Sequence, residues 1–416
     1  MNQHELLLLE ALRASLENKK LTWDHELPLE TWTALFGLAE SHKILPLVVD
    51  SALQTPAARL APIEFISEYK RRSHTLMFTQ IQKTAQFLNL YRTLQAHEIT
   101  PLVVKGLVCR ELYPNPDLRL SSDEDLLVAE ADFEKAIEVL KSCGLKPRVE
   151  VENVDAVDEI GMISDDGLSY IELHKYLFAP DSDSLGDFNT FFVDSFEKCV
   201  SMQVQGTTIY TMEPGMHLFY LICHALKHFL HSGFGIRQVC DIVMFANTYG
   251  SEIDWQKVLK DCRALHAETF TAAIFKIGEK YLTFDAGHAC YPVEWQEIKI
   301  DETELLLEIL ESGIYGNSSM SRRHSAKMTL EAAASVKKRK KAGNTILSAA
   351  FPPAKDLEGR YPYLKEKPYL LPLAWTSRIA TYHKETKAMR NNSAAEAVKI
   401  GKQRIELLKK YGIIDK

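Results

Sequence analysis

Two aspartates one residue apart, Asp123 and Asp125, open the apolar run Leu126-Leu127-Val128 in LRLSSDEDLLV. Alternate residues of a strand share a face, so a strand here points both aspartates one way and Glu124 the other. Carboxylates held close together repel unless a cation lies between them. Magnesium is the natural filler, or manganese in its place: such cations take oxygen ligands and bridge to phosphates. A third acid stands in SYIELHKY, where a strand would put Tyr170, Glu172 and His174 on one face. If the two strands pair, Glu172 joins Asp123 and Asp125. Three carboxylates on adjacent strands can hold two metals, which clamp the attacking and leaving oxygens of a phosphoryl displacement. His174 serves there as a base or only caps its strand.

Upstream, ITPLVVKG ends in Lys105-Gly106. A glycine between strand and helix lets backbone approach a phosphate, and the following helix N-terminus supplies N–H groups and a positive dipole. Lys105 adds a point charge for a triphosphate. Arg119, four residues before Asp123, offers a guanidinium fork for a phosphate. Taken singly these pieces are ordinary, since DED also reads as a solvated strand entrance and KG as a turn. The ordered set points to phosphate chemistry: K-G, a short helix, R and D-x-D on a strand, then a distal E-L-H.

A second cluster lies in EPGMHLFYLICHALKHFLHSG. At 100° per residue, His217, His224, His228 and His231 fall within an arc of about 60°, opposite Leu218, Ile222, Leu226, Phe229 and Leu230. Three readings stay open: a polar surface face, a zinc pair from His224 and His228, or those two turned to the cleft to bind substrate or phosphate. There is no H-E-x-x-H and no His-Asp dipeptide. Arg237 and Asp241 lie four apart and pair with each other or brace the histidines.

The elements that must position these residues follow from periodicity. Residues 3–96 read as helices, with apolar positions at three- and four-residue spacing. Residues 97–210 read as a mixed α/β unit with strands at 99–104 and 123–128 and three weaker ones near 146–152, 158–164 and 168–174. EADFEKAIEVLKSCG between them is a helix stopped at Gly144. Helical period returns at 213 and runs to a last helix near 392–411. The stretch 351–373, rich in Pro and Tyr, reads as irregular. KKRKK at 337–341 is a solvated face or a polyphosphate or nucleic-acid contact.

With 416 residues, two or three lobes are expected at roughly 150 residues per domain. We divide the chain into an N-terminal helical region (1–96), the α/β core (97–210) and a C-terminal helical region (211–416). A net charge of −7 argues against bulk nucleic-acid binding. The seven cysteines form no C-x-x-C pair, which fits reduced thiols in the cytoplasm. The N-terminal stretch reads as an amphipathic helix, not a leader. Without a run of about 18 apolar residues, no membrane span is expected.

Lys105-Gly106, Arg119, Asp123, Asp125, Glu172 and His174 together resemble the bacterial uncharacterised nucleotidyltransferase family, assigned to the polymerase-β-like nucleotidyltransferase superfamily. The likeness continues in HLFYLICHALKHFLHSGFGIRQVCDIVMF and reaches FPPAKDLEGRYPYLKEKPYLLPLAWTSR, spanning most of 30–385. It implies an α+β protein with a small mixed-sheet nucleotidyltransferase core flanked by helical regions. Asp123, Asp125 and Glu172 become ligands of Mg²⁺ or Mn²⁺, and Gly106 marks the turn facing the triphosphate. From the residues themselves, Lys105, Arg119, His174, His224 and His228 are the candidate nucleotide contacts. The implied reaction moves a nucleoside monophosphate from an NTP, ATP among them, to an acceptor and releases pyrophosphate. The acceptor is left open: a small molecule, peptide, protein or RNA. Two positions depart from the superfamily pattern. Leu107 follows Gly106 where Gly or Ser is usual, and Glu124 separates the aspartates where an apolar residue is usual. They motivate the alternative of a non-catalytic nucleotide-binding or protein-interaction module.

Overall fold

The computed structural model describes residues 1–151, 153–154, 157–313, 320–337, 354–357, 361–378 and 394–414. The helical start expected over 3–96 is five helices, α1 (Gln3–Leu16), α2 (Leu29–Ser41), α3 (Leu45–Ala52), α4 (Pro56–Leu60) and α5 (Ile63–Ala96). Asn2 and Glu5 satisfy each other's backbone N–H in a capping box that starts α1. Proline sets the first turn of α3 and α4, where its missing N–H costs nothing.

The sheet follows: β1 (Leu102–Val103), α6 (Gly106–Arg110), β2 (Glu124–Leu127), α7 (Phe133–Ser142), β3 (Leu145–Pro147), β4 (Glu159–Ser164), β5 (Tyr170–His174), β6 (Cys199–Val204) and β7 (Thr207–Met212). The seven strands lie in the order β3-β4-β5-β2-β1-β7-β6. β2 is parallel to β5 and antiparallel to β1, and β1 is parallel to β7. The fold is therefore α+β with one mixed sheet.

Two details differ from the sequence reading. The β6–β7 hairpin was not expected. Gln205 and Gly206 both have positive φ, +47° and +78°, as its two-residue turn requires. The strand near 146–152 is shorter, ending at Pro147, with one further bond from Arg148 N–H to the Gly161 carbonyl at 2.8 Å.

Past the sheet come α8 (Pro214–His231), α9 (Ile236–Tyr249), α10 (Trp255–Ala264), α11 (Glu268–Tyr281), α12 (Val293–Gln296), α13 (Thr303–Ser312), α14 (Met320–Lys337) and a C-terminal helix, Ala394–Lys410. One apolar cluster runs continuously from Leu7 to Ile414. The Pro/Tyr-rich stretch supplies short 3₁₀ turns and a small satellite cluster of Leu357, Leu364 and Ala374. Of KKRKK, all but Lys337 lies outside the described residues.

The end of α8 is held from behind. Arg404, on the C-terminal helix, donates to the carbonyls of Phe229 and His231, the latter at 3.1 Å. Arg322 on α14 donates to the Ser232 carbonyl at 2.7 Å, and Glu308 on α13 receives both arginines. Cations at a helix C-terminus complement its dipole. No described helix is long and apolar enough to cross a membrane.

Candidate active site

The loop 120–122, which delivers Asp123 to β2, is tied down from five directions. Gln80 on α5 accepts the Ser121 N–H at 2.7 Å, and Lys83 on the same helix donates to the Ser121 carbonyl at 3.3 Å. Arg110 and Arg119 both donate to the Ser121 hydroxyl, at 2.5 and 2.7 Å. Arg237 on α9 donates to the Leu120 carbonyl, and Lys43 to the Ser122 hydroxyl. A loop this constrained fixes the direction of the strand that follows it.

On β2 the alternation separates the acids. Asp125 stands opposite Glu172 in the parallel β2–β5 ladder, and Leu127 stands opposite His174. Asp123, Asp125, Glu172 and His174 all line one cavity of about 580 Å³, together with Tyr170. Ligand atoms of Asp125, Glu172 and His174 lie within 4.8 Å of one another. Asp123 lines the same cavity without belonging to this set, which His174 joins. His174 Nε2 is 3.5 Å from Asp125 and 4.0 Å from Glu172, while its Nδ1 is 3.4 Å from Glu159.

The charges are uneven. Burial raises the Asp125 carboxyl, but the Lys105 charge and the His174 contact together hold it well below the usual carboxylate range. Burial and the neighbouring charges of Asp125 and Asp123 push Glu172 up. Lys105 Nζ sits 2.8 Å from Asp125 Oδ2. Asp125 is thus ion-paired with Lys105, and His174 Nε2 faces its other oxygen.

Glu124 explains the turn above it. Its carboxylate points to the packed side, 2.6 Å from Arg110, and accepts the Leu107 N–H at 2.8 Å. Gly106 has φ +41°, and a Cβ there would lie 2.0 Å from Glu124 Oε2. The glycine is needed because a buried carboxylate fills the space beneath it. The expectation of open helix-terminal N–H groups for a phosphate is corrected: α6 is a single short turn, and its Leu107 N–H is already taken by Glu124.

Arg119 is also placed differently from the phosphate fork expected of it. Its side chain is 1% exposed, and Nε and Nη2 bind the two oxygens of Asp241 at 3.0 and 2.6 Å. Tyr113 donates to the same carboxylate at 2.8 Å. Asp241 therefore pairs with Arg119, not with Arg237 four residues away, because the guanidinium arrives from across the fold in bidentate geometry.

The histidine face divides in three. His217 is fully buried, with Nδ1 2.9 Å from the Thr211 hydroxyl. His231 is exposed. His224 and His228 line the cavity. Lys105 Nζ lies 3.4 Å from His224 Nε2, and the Gln238 side-chain NH2 lies 3.3 Å from its Nδ1. Burial first, and the Lys105 charge second, lower both residues, His228 to about 3. Both rings are neutral at neutral pH.

Sequence reasoning missed Arg148, Glu159, Lys227 and Gln238 at this cavity. Lys227 had a signal, since it sits between His224 and His228 on the same helix. Arg148 lies just past a short edge strand and had none.

Comparison with family models matches residues 28–283 to the uncharacterised nucleotidyltransferase family. No curated protein matches. Among solved structures, a crystal structure of an antigenic nucleotidyltransferase-like protein from Paracoccidioides brasiliensis is 12% identical, covers 50% of this chain and 95% of that one, and has a TM-score of 0.31. The family match stops short of 351–378, where the resemblance was expected to continue. Because the matched stretch takes in more than half of the chain, with all seven strands and every cavity residue named above, the chain belongs to the uncharacterised nucleotidyltransferase family.

Proposed function

We propose that the protein transfers a nucleoside monophosphate from an NTP to an acceptor hydroxyl with the help of a divalent cation. The observation that carries this reading is the pairing of Asp125 with Glu172 on parallel strands, at the wall of a cavity of about 580 Å³. The residues fit a divalent cation: Asp125 and His174 are buried, and their ligand atoms lie with that of Glu172 inside 4.8 Å. Asp125, Glu172 and His174 would hold it, with Asp123 alongside. One imidazole among the ligands suits Mn²⁺ better than Mg²⁺, which prefers oxygen. Once bound, such a cation supplies Lewis-acid stabilisation of charge on the transferring phosphoryl group.

The chain's own side chains do the rest. Lys105, Lys227, Arg148 and Arg237 line the cavity and offset triphosphate charge. His224 and His228, neutral, offer ring N–H donors to phosphate oxygens. Glu172, at the cavity wall, receives the acceptor hydroxyl's proton. The acceptor oxygen bonds to the α-phosphorus, the bond from that phosphorus to the bridging oxygen breaks, and pyrophosphate leaves with the electron pair. The unpaired cysteines fit a cytoplasmic enzyme.

A second reading, a nucleotide-binding module without turnover, is favoured by Lys105 on Asp125 and by the occupied Leu107 N–H. Each α-labelled NTP with Mg²⁺ or Mn²⁺ and cell extract, beside Asp125→Asn, separates the two. Label moved to an acceptor by the wild type alone supports transfer. Metal-dependent NTP binding without label transfer supports the module. The absence of both transfer and binding would remove the nucleotide from the reading.

A further inference from the structure

A second cavity, of about 590 Å³, lies on the other side of the loop 120–122. Its walls are α5, the end of α2, the α2–α3 turn and the loop itself. Four cations line it, Lys43, Arg71, Arg72 and Lys83, against one acid, Glu40. That excess of positive charge sits on a chain whose net charge is −7. Arg72 pairs with Glu40, and Arg71 with Glu68. Lys83 Nζ donates to a neutral carbonyl, that of Ser121, at 3.3 Å, and burial lowers its pKa. Leu45 and Leu76 give the same walls an apolar strip.

Lys43 follows the end of α2, and its ammonium reaches the Ser122 hydroxyl.

The two cavities meet at this loop. Ser122 lines both, and a narrow cleft between them is bordered by Lys83, Ser122, Asp123 and Tyr170. A molecule in the second cavity therefore lies across the loop from Asp123, the acid of the first cavity that borders this cleft. A cavity of this size, mostly apolar with a few charged groups, suits a small molecule.

We propose that this cavity holds the acceptor, and that the acceptor is a small molecule with an apolar body and an anionic group, a phosphate or carboxylate, placed between Lys43 and Lys83. The proposal rests on the transfer reading for its word acceptor, but the binding site stands on its own geometry.

The test uses the full chain without nucleotide or metal, so a failure of the transfer reading cannot mimic its result. Calorimetric titration compares 1-naphthyl phosphate, the carboxylate 1-naphthoate and uncharged 1-naphthol. One of the two anions should bind at least ten-fold more tightly than 1-naphthol. Lys43→Met and Lys83→Met should each weaken that anion at least five-fold, while Lys83→Arg retains it. Thermal melts establish that each variant is folded. Equal binding of anion and naphthol, no binding of either anion, or anion binding untouched by both methionine variants overturns the proposal. Tighter binding of a single-stranded RNA oligomer, lost in the same variants, overturns the small-molecule class.

Discussion

Asp125 and Asp241 are both buried, both face the same cavity and both have a cation in contact, yet they are built for different ends. Both oxygens of Asp241 are clamped: Arg119 binds each of them and Tyr113 adds a third bond. Its carboxyl is lowered mainly because the Arg119 charge overcomes burial. Asp125 is lowered too, but through a single lysine and a neighbouring histidine. A buried carboxylate clamped by a fork and a phenol is a brace; one held by a single movable charge leaves room for something to bind. The difference lies in the partners, since arginine offers a planar fork and lysine a single movable charge.

The contrast breaks most visibly if the brace is cut. Arg119→Met leaves Asp241 buried and uncompensated and should cost about 3–5 kcal/mol in urea unfolding. A loss below 1 kcal/mol would mean that Asp241 is not held as described. The Asp125 side should respond to metal instead. At Mn²⁺ near 100 times its dissociation constant, the wild type should gain about 2.7 kcal/mol of stability. Asp125→Asn should gain none, whereas a gain equal to the wild type's would place the ion elsewhere. Gly106→Ala should lose about 1–3 kcal/mol through its positive φ and the Glu124 contact. Combined with Glu124→Ala it should fall well short of additivity, because the clash has gone; strict additivity would separate the two residues.

A further effect concerns pH. Burial lowers His42 and His217 to about 4 from 6.5, so between those values the unfolded chain binds protons that the folded chain does not. Stability should therefore fall as the pH drops through that window, by at most ~1.4 kcal/mol per pH unit for each group. His42→Asn should flatten the slope in acid melts, and an unchanged slope would remove His42 from the account.

Strand alternation made the acid face legible from the sequence: it put Asp123 and Asp125 on one side, Glu124 on the other, and Glu172 beside His174. The period of α8 likewise brought out His224 and His228. What stayed hidden depends on long-range pairing. Nothing local says that Arg119 meets Asp241, or that Glu124 reaches back under Gly106 to Leu107 and Arg110, since each partner comes from a different element. His217 reads like its neighbours in period but falls in the core, because packing against the sheet is not written in helix spacing. The β6–β7 hairpin did leave a mark, Gln-Gly between two alternating runs, that a closer reading of turns would have caught.

The hold on α8 by Arg404 and Arg322 separates likeness from mechanical support. Similarity to the family ends at residue 283, yet the last carbonyls of the helix that carries His228 are satisfied by side chains from 322 and 404. A chain trimmed to the recognisable stretch would keep every cavity residue and still loosen one wall, because the tail acts as a splint for a helix it does not resemble.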